Sequence, residues 1–236
     1  MEHNFQSKIL EKARLSRHEG KTPLVILDID DTLIDCRYRK QIVLKDFANH
    51  LPKDHRYYQK LISVNIASIH YLISDTLKAI EIEDKDFEQD IYQFWLSHYF
   101  SYDYLIQDQA FPGAVNFVNQ LLEADIKVVY LTARHESEMG AGTREYFRSS
   151  AFPFDRPETT LILKPDRSIP DAAFKASALK EISSMGDVVA SFENELKHLN
   201  EMAEYFPSGL MYWRDTLHSP NQPVPHKRVT KLPSFV

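Results

Sequence analysis

The chain has 236 residues, enough for one large domain or for a core that carries an inserted smaller domain. It is 43% hydrophobic and 26% charged, a composition typical of globular proteins in water. The formal net charge of -6 argues against general binding to nucleic acids or anionic membranes, but it leaves room for a local basic pocket that binds a small anion.

Cysteine content and hydropathy indicate the cellular compartment in which the protein is expected. Cys36 is the only cysteine in the sequence, so no intrachain disulfide forms, which fits a reducing environment. The N-terminal residues mix charges and lack the apolar stretch of a signal peptide, and no apolar run reaches the length of a membrane span. We therefore expect a cytoplasmic protein without a membrane anchor. The oligomeric state is not indicated by the sequence.

The first 110 residues of the chain predict a helix, a strand and a helical insert. Apolar residues at helical spacing predict a helix that ends near Gly20. The segment "PLVILDI", residues 23–29, predicts a buried strand because it is short and rich in branched apolar residues. Residues 36–110 lack glycine, contain one proline and repeat apolar and aromatic residues at helical spacing. This pattern predicts three or four helices, with Asp84 near the start of the last long one.

From residue 111 onward the predicted helices and strands alternate. The predicted strands, including the first, lie near residues 24–28, 127–131, 160–163, 187–192 and 209–212. Such alternation is typical of an α/β fold in which helices cover both faces of a parallel sheet. We therefore predict a core domain of residues 1–35 and 111–236, interrupted by a helical domain of residues 36–110.

Polar side chains stand where several of these strands end. Asp28 and Asp30 follow the first strand, Thr132 follows the second and Glu193 follows the fourth. Ligands of open parallel sheets bind beyond the carboxyl ends of the strands. Crowded carboxylates repel one another, and a bound cation relieves that repulsion. Magnesium suits a site of hard oxygen ligands that leaves room for water and phosphate.

Four segments resemble, in their order along the chain, the four motifs of the haloacid dehalogenase-like superfamily in its phosphohydrolase branch. They are "LDIDDTL", "VVYLTAR", "FKASALKEI" and "VVASFENE". One short motif is weak evidence, whereas four in order, each in its expected strand or helix, are strong evidence. The resemblance covers residues 23–35 and 111 to about 212. It implies a doubly wound, Rossmann-like parallel-sheet core with a smaller all-helical cap.

The resemblance implies a role for each motif residue. Asp28 would attack phosphorus and form an aspartyl-phosphate. Asp30 would protonate the leaving oxygen and then activate the water that cleaves the intermediate. Thr132 would bind a phosphoryl oxygen through its hydroxyl. Lys175 would bind the phosphoryl group and neutralise its charge. The helical insert would be the cap that closes over the site and selects the substrate.

The resemblance also implies a magnesium site. Asp28, the backbone carbonyl of Asp30 and Glu193 would hold Mg²⁺, which offsets the charge of a phosphate dianion. Related proteins often have two aspartates in the fourth motif, where this chain has Glu193 and Asn194. Asn194 would either bind the metal through its oxygen or orient a water molecule.

Several positively charged residues leave two interpretations open. Lys164 ends a strand and competes with Lys175 for the role of the motif lysine, and we favour Lys175 because it lies in the helix that leads to the fourth motif. Arg134 is expected either to bind the substrate phosphate or to pair with a carboxylate. A run of three cations near the start of the insert either meets substrate phosphate or forms a solvated face, the more common arrangement. It consists of Arg37, Arg39 and Lys40.

The aromatic segment "IYQFWLSHYFSYDYL" forms either the interior of the helical insert, which its spacing favours, or a stacking slot for an aromatic substrate. The function that best fits the whole sequence is a magnesium-dependent phosphohydrolase acting on a small phosphorylated metabolite. The alternatives are a phosphotransferase or mutase on the same core, a dehalogenase, which Asp30 argues against, and a non-enzymatic protein that binds phosphate or a partner.

Overall fold

A six-stranded sheet lies at the centre of the computed structural model, which describes residues 5–236. The strands are β1 Pro23–Leu27, β2 Lys127–His135, β3 Thr159–Lys164, β4 Asp187–Glu193, β5 Leu210–Trp213 and β6 Val229–Lys231. Their order across the sheet is β3-β2-β1-β4-β5-β6, and every neighbouring pair is parallel. Because β1 lies between β2 and β4, residues that follow these three strands meet at one edge.

Ten α-helices accompany the sheet in the described part of the chain. They are α1 Phe5–His18, α2 Arg37–Asn49, α3 Tyr58–Ile62, α4 Ile73–Ala79, α5 Lys85–His98, α6 Tyr102–Leu105, α7 Ala114–Glu123, α8 Glu136–Ser149, α9 Asp171–Met185 and α10 Leu196–Tyr205. A single 3-10 turn lies at Ile66–Ser68. None of the helices in residues 5–236 is both long and apolar enough to cross a membrane.

Helices cover both faces of the sheet. Successive side chains of a strand point to opposite faces. Val25 and Leu27 of β1 therefore pack in one apolar cluster with residues of α1, α7 and α8. Leu24 and Ile26 pack in a second cluster with residues of α9 and α10. The entire β1 strand is buried between these two layers, as expected for a central parallel strand. The predicted α/β fold with a doubly wound parallel sheet is confirmed.

Helices α2 to α6 lie in the segment predicted as an insert, and they contain an apolar cluster of their own. The chain leaves and re-enters the core at one place, since the N–H of Asp35 donates to the carbonyl of Gln109 at 2.8 Å and Ile34 bridges to Ala110. Asp84 caps α5, because its side chain accepts a hydrogen bond from the N–H of Phe87 at 3.2 Å. The division into two domains stays a prediction.

The five predicted strands are present within a few residues of their predicted bounds, and the sheet has two features that the pattern did not indicate. Strand β2 continues to His135, beyond its predicted end at residue 131. Strand β6 was not predicted because it has three residues, none of them fully buried, and therefore lacks an apolar pattern.

Candidate active site

One ammonium group joins two carboxylates at the carboxyl edge of the sheet. Asp28 directly follows β1 and continues its ladder, since its N–H donates to the carbonyl of Phe192 at 3.0 Å. Glu193 ends β4, and Lys175 lies in α9. The Nζ of Lys175 donates to Asp28 Oδ1 at 2.7 Å and to Glu193 Oε2 at 2.6 Å. We call these three buried residues, Asp28, Lys175 and Glu193, the lysine cluster.

The lysine cluster has one positive group for two negative groups. Burial and the Glu193 carboxylate raise the pKa of Asp28 to about 8, although the Lys175 ammonium acts against them. Burial also raises the pKa of Glu193. Burial by itself would lower the pKa of Lys175, but the two carboxylates raise that pKa well above its usual value. The cluster therefore favours either a retained proton or a further bound cation.

The side chains at this edge of the sheet offer the type of ligand atom that magnesium prefers. Mg²⁺ prefers hard oxygen ligands and is commonly held by one or two carboxylates together with water and phosphate oxygens. Asp28 and Glu193 supply two carboxylates. Asn194 supplies an amide oxygen, which accepts a weak hydrogen bond at 3.5 Å from the hydroxyl of Thr32. Within residues 5–236, no group of three or more His, Cys, Asp or Glu side chains could hold a metal, so further ligands would have to be carbonyl, water or substrate oxygens.

Two aspartates and two arginines form a second cluster beside the first. They are Asp30 after β1, Arg39 in α2, Asp108 at the end of the insert and Arg134 in β2. Arg134 contacts both oxygens of Asp30 at 2.8 Å, and its Nη2 lies 2.6 Å from Asp108 Oδ2. Arg39 donates through Nε to Asp108 Oδ1 at 2.7 Å and through Nη2 to Asp30 Oδ1 at 2.8 Å. In this arginine cluster the four charges cancel.

The arginine cluster holds Asp30 as a carboxylate. Burial acts against ionisation of Asp30, but the charges of Arg134 and Arg39 outweigh burial and hold its pKa well below the usual range. The Cys36 thiol also donates to Asp30 Oδ1, at 2.9 Å. Burial, together with the neighbouring aspartates, raises the pKa of Cys36, so the thiol remains protonated and serves as a structural contact.

The structure separates the two candidate lysines. Lys164 pairs with Asp171 at 2.6 Å, whereas Lys175 contacts Asp28 and Glu193. Thr132 is buried beside the site, and its hydroxyl oxygen accepts the N–H of Arg134 at 3.1 Å.

Arg134 pairs with carboxylates, the second of its two expected roles. For the cations of the insert, the expected solvated face is wrong for Arg39 and Lys40, which are buried and line the cavity, and contact with substrate phosphate stays a prediction. Arg37 pairs with Asp35, and Arg39 is buried in the arginine cluster. Lys40 is also buried, and its Nζ donates to the carbonyls of residues 70 and 71 at 3.2 and 2.8 Å. Tertiary packing of α2 against the core removes Arg39 and Lys40 from solvent, and the charge pattern carries no sign of this.

Two site residues were missed or underrated in the sequence. Asp31 has no role in the motif, and its backbone adopts φ 53°, as in a turn. Its carboxyl is nevertheless buried and accepts the N–H of Cys36 at 3.1 Å. Burial and the nearby Asp30 raise the pKa of Asp31 to about 7, although Lys40 acts against them. Asp108 was not singled out, because a lone aspartate at the end of a helical segment carries no motif.

Residues of both clusters line one cavity of about 730 Å³ that lies between the sheet edge and the helical insert. The core contributes Asp28, Thr132 and Lys175 to its lining. The insert contributes mainly aromatic and aliphatic residues, among them Tyr92 and Trp95. The cavity therefore has a charged end at the sheet and an aromatic wall opposite.

Comparison with known proteins identifies the fold. The chain is similar in structure to a haloacid dehalogenase-superfamily hydrolase of subfamily IA from Geobacter sulfurreducens, with a TM-score of 0.53, 13% identity and coverage of 92% of this chain and 94% of that chain. It is also similar to CbbY from Rhodobacter sphaeroides in complex with phosphate, with a TM-score of 0.51, 14% identity and coverage of 91% and 95%. No family model matches the sequence, and no curated protein matches it either. The chain has the haloacid dehalogenase-like fold.

Proposed function

We propose that this protein is a phosphohydrolase that cleaves a small phosphomonoester, with Asp28 as its nucleophile. The observation that carries the proposal is the lysine cluster. In it, the buried Asp28 directly follows the central strand and accepts a hydrogen bond from Lys175. Both residues line a cavity at the edge of the sheet where ligands of this fold class bind. A phosphate in this place would meet Lys175 and the hydroxyl of Thr132.

In the proposed reaction an oxygen of Asp28 forms a bond to phosphorus while the bond from phosphorus to the leaving oxygen breaks. Lys175 neutralises charge on the nucleophile and on the phosphoryl oxygens. Thr132 donates its hydroxyl to one of those oxygens. A water molecule then attacks phosphorus, which releases inorganic phosphate and restores the Asp28 carboxylate.

Asp30 is the proposed acid and base, because it lies two residues from Asp28 and lines the same cavity. Its two oxygens accept hydrogen bonds from Arg134 and Arg39, and these contacts oppose protonation. A proton therefore passes through Asp30 only when at least one guanidinium contact lengthens. Arg39 belongs to α2 of the insert, so movement of the insert would change the basicity of Asp30. In this scheme Arg134 acts on the substrate mainly through Asp30.

We propose that Mg²⁺ is bound by Asp28, the backbone carbonyl of Asp30 and Glu193, with Asn194 either as a further ligand or as a contact for bound water. When bound, the ion offsets the negative charge of the phosphate and of the two carboxylates. The Nδ2 of Asn194 donates to the carbonyl of Leu217 at 2.6 Å, which orients the amide. We also propose a phosphorylated metabolite as the partner, and a cytoplasmic location stays a prediction of the sequence.

The test is phosphate release from a panel of phosphomonoesters, with and without Mg²⁺, by the wild type and two variants. Asp28→Asn should abolish turnover without unfolding the protein, because an amide is a very poor nucleophile. Asp30→Asn should retain the nucleophile and accumulate a phosphorylated protein with an aryl phosphate, visible as added mass of the intact chain. Wild-type turnover in Asp28→Asn would rule out the covalent mechanism.

A further inference from the structure

An aromatic wall lines the side of the cavity formed by the insert. Tyr92, Trp95 and Tyr99 follow one another at intervals of three and four residues, which places them along one face of α5 and its end. The ring planes of Tyr92 and Trp95 are 13° apart with centres 6.2 Å apart, and those of Trp95 and Tyr99 are 23° apart with centres 4.5 Å apart. We call these three residues the aromatic wall.

The aromatic wall begins next to the proposed chemistry. The guanidinium carbon of Arg39 lies 4.4 Å from the centre of the Tyr99 ring, and the same guanidinium binds Asp30 at 2.8 Å. One side chain therefore separates the wall from the proposed acid and base. A group attached to the leaving oxygen of a phosphomonoester would extend from the charged end of the cavity toward these rings.

Packing inside the insert accounts for only one end of the aromatic wall. Tyr99 is buried and packs with Val43 and Tyr104. Tyr92, at the other end, is 42% exposed and faces the cavity, which is also lined by Tyr71, 40% exposed. A cavity of about 730 Å³ lies within the range of about 300–1,000 Å³ in which proteins bind whole organic molecules, and it is far larger than a phosphate group requires.

We propose that the cavity takes a phosphomonoester whose leaving group carries a flat heteroaromatic ring, of the nucleoside monophosphate type. The proposal rests on the phosphohydrolase function above and names its substrate class. The ring stacks on the aromatic wall while the phosphate lies at Lys175. Stacking accepts any base, because every base has a π-face. Lys85, Glu88 and Gln89 line the same cavity and supply polar atoms for the edge of the ring.

The first experiment compares the values of kcat/KM for adenosine 5′-monophosphate, uridine 5′-monophosphate and ribose 5-phosphate. These compounds present the same phosphate on the same sugar and differ in the presence of the base. We expect both nucleotides to exceed ribose 5-phosphate by about tenfold or more, the effect of one stacked base. Equal values for all three would overturn the inference and leave the phosphohydrolase proposal intact.

A matched pair of variants tests the wall itself. Tyr92 and Tyr102 are both tyrosines of the helical segment and are 42% and 44% exposed, but only Tyr92 lines the cavity. Tyr92→Leu should lower the preference for nucleotide over ribose 5-phosphate by about tenfold, whereas Tyr102→Leu should keep it within about twofold of the wild type. An unchanged preference in Tyr92→Leu, or an equal fall in both variants, would contradict the assignment.

Binding to the Asp28→Asn variant separates this inference from the catalytic proposal. Calorimetry should show tighter binding of adenosine 5′-monophosphate than of ribose 5-phosphate, and Tyr92→Leu in the same background should remove the difference. If the wild type hydrolyses none of the phosphomonoesters of the wider panel, the phosphohydrolase proposal fails, and the binding comparison still decides whether the cavity prefers an aromatic ring. Equal affinity for both compounds would overturn that preference.

Discussion

The lysine cluster and the arginine cluster lie side by side at the same edge of the sheet and are built from the same kinds of group. The lysine cluster sets two carboxylates against one ammonium group. The arginine cluster sets two carboxylates against two guanidinium groups. Asp28 and Asp30 are two residues apart, and yet the pKa of Asp28 is raised and that of Asp30 is lowered.

This difference shows that the number of local cations, and not burial alone, decides the state of each aspartate. Burial raises both pKa values, and only the arginine cluster has enough positive charge to reverse its effect. A cluster with balanced charges holds structure together, here by joining α2 of the insert to the core. The lysine cluster has one carboxylate more than it has cations. A bound cation can balance that charge, and Lys175 can also contact a phosphoryl group. The predictions below change the charge balance of one cluster at a time.

The largest effect is expected from removing one cation of the arginine cluster. Arg39→Met leaves two carboxylates with one guanidinium, the same imbalance as in the lysine cluster. Because Asp108 is buried, we expect the free energy of unfolding to fall by about 3–5 kcal/mol. Urea denaturation measures this change.

Arg37→Met is the matched control, since Arg37 also lies in α2 and binds an aspartate, but its side chain is 35% exposed. Its loss should change the free energy of unfolding by about 0–1 kcal/mol. Similar losses in the two variants would show that charge balance in the buried cluster has no special importance.

A cation added to the lysine cluster should have the next largest effect. At a Mg²⁺ concentration about one hundred times its Kd, the wild type should gain about 2.7 kcal/mol of stability. At one fixed Mg²⁺ concentration the gain should grow as the pH rises toward 8, because Asp28 must release its proton to bind the ion. Thermal unfolding with and without Mg²⁺ measures the gain.

Glu193→Gln should abolish the gain from Mg²⁺. Glu195→Gln should retain it, since Glu195 lies two residues further on and binds Ser219 and Gln222. If Mg²⁺ has no effect on the wild type at any pH, the proposed metal site is wrong.

Removing one carboxylate from the lysine cluster should stabilise the metal-free protein. The pKa of Asp28 is about 8 in the folded protein, compared with an ordinary value of 3.8. The protonated Asp28 side chain therefore stabilises the fold, and this stabilisation is lost as the pH rises from about 4 through 8. Asn does not titrate. Asp28→Asn should therefore match the wild type near pH 4 and exceed it by about 0.5–2 kcal/mol at pH 9.

The measurement is urea unfolding in the presence of a chelator across this pH range. The difference reports on Asp28 and Glu193 together, since the two carboxylates titrate as a pair. Asp30→Asn should show the opposite sign, losing stability near neutral pH and losing less in acid. The lowered pKa of Asp30 stabilises the folded protein fully above the pKa of the unfolded carboxyl, and this stabilisation is lost progressively as the pH falls below that value. A stabilised Asp30→Asn would contradict the role assigned to the arginine cluster.

Much of the core could be predicted because its signals are local. The branched apolar run of β1 and the alternation of helices and strands after residue 111 depend on short-range patterns, and all five predicted strands are present. Asp28 and Glu193 could be expected at one edge, because the carboxyl ends of parallel strands meet there. The contact of Lys175 with both carboxylates agrees with the position of that lysine in the helix before β4.

The sequence by itself therefore determined the layered α/β architecture and the edge at which the acidic residues gather, since both follow from periodicity and from strand direction. Only the tertiary structure decided the charge environment of each acid. Asp30 and Asp108 are 78 positions apart in the chain, and Arg39 and Arg134 are even further apart, so no local pattern links them. Their pairing depends on how the insert packs against the core. The physical reason is that electrostatic free energy depends on distance and burial in space, which the order of residues along the chain does not contain.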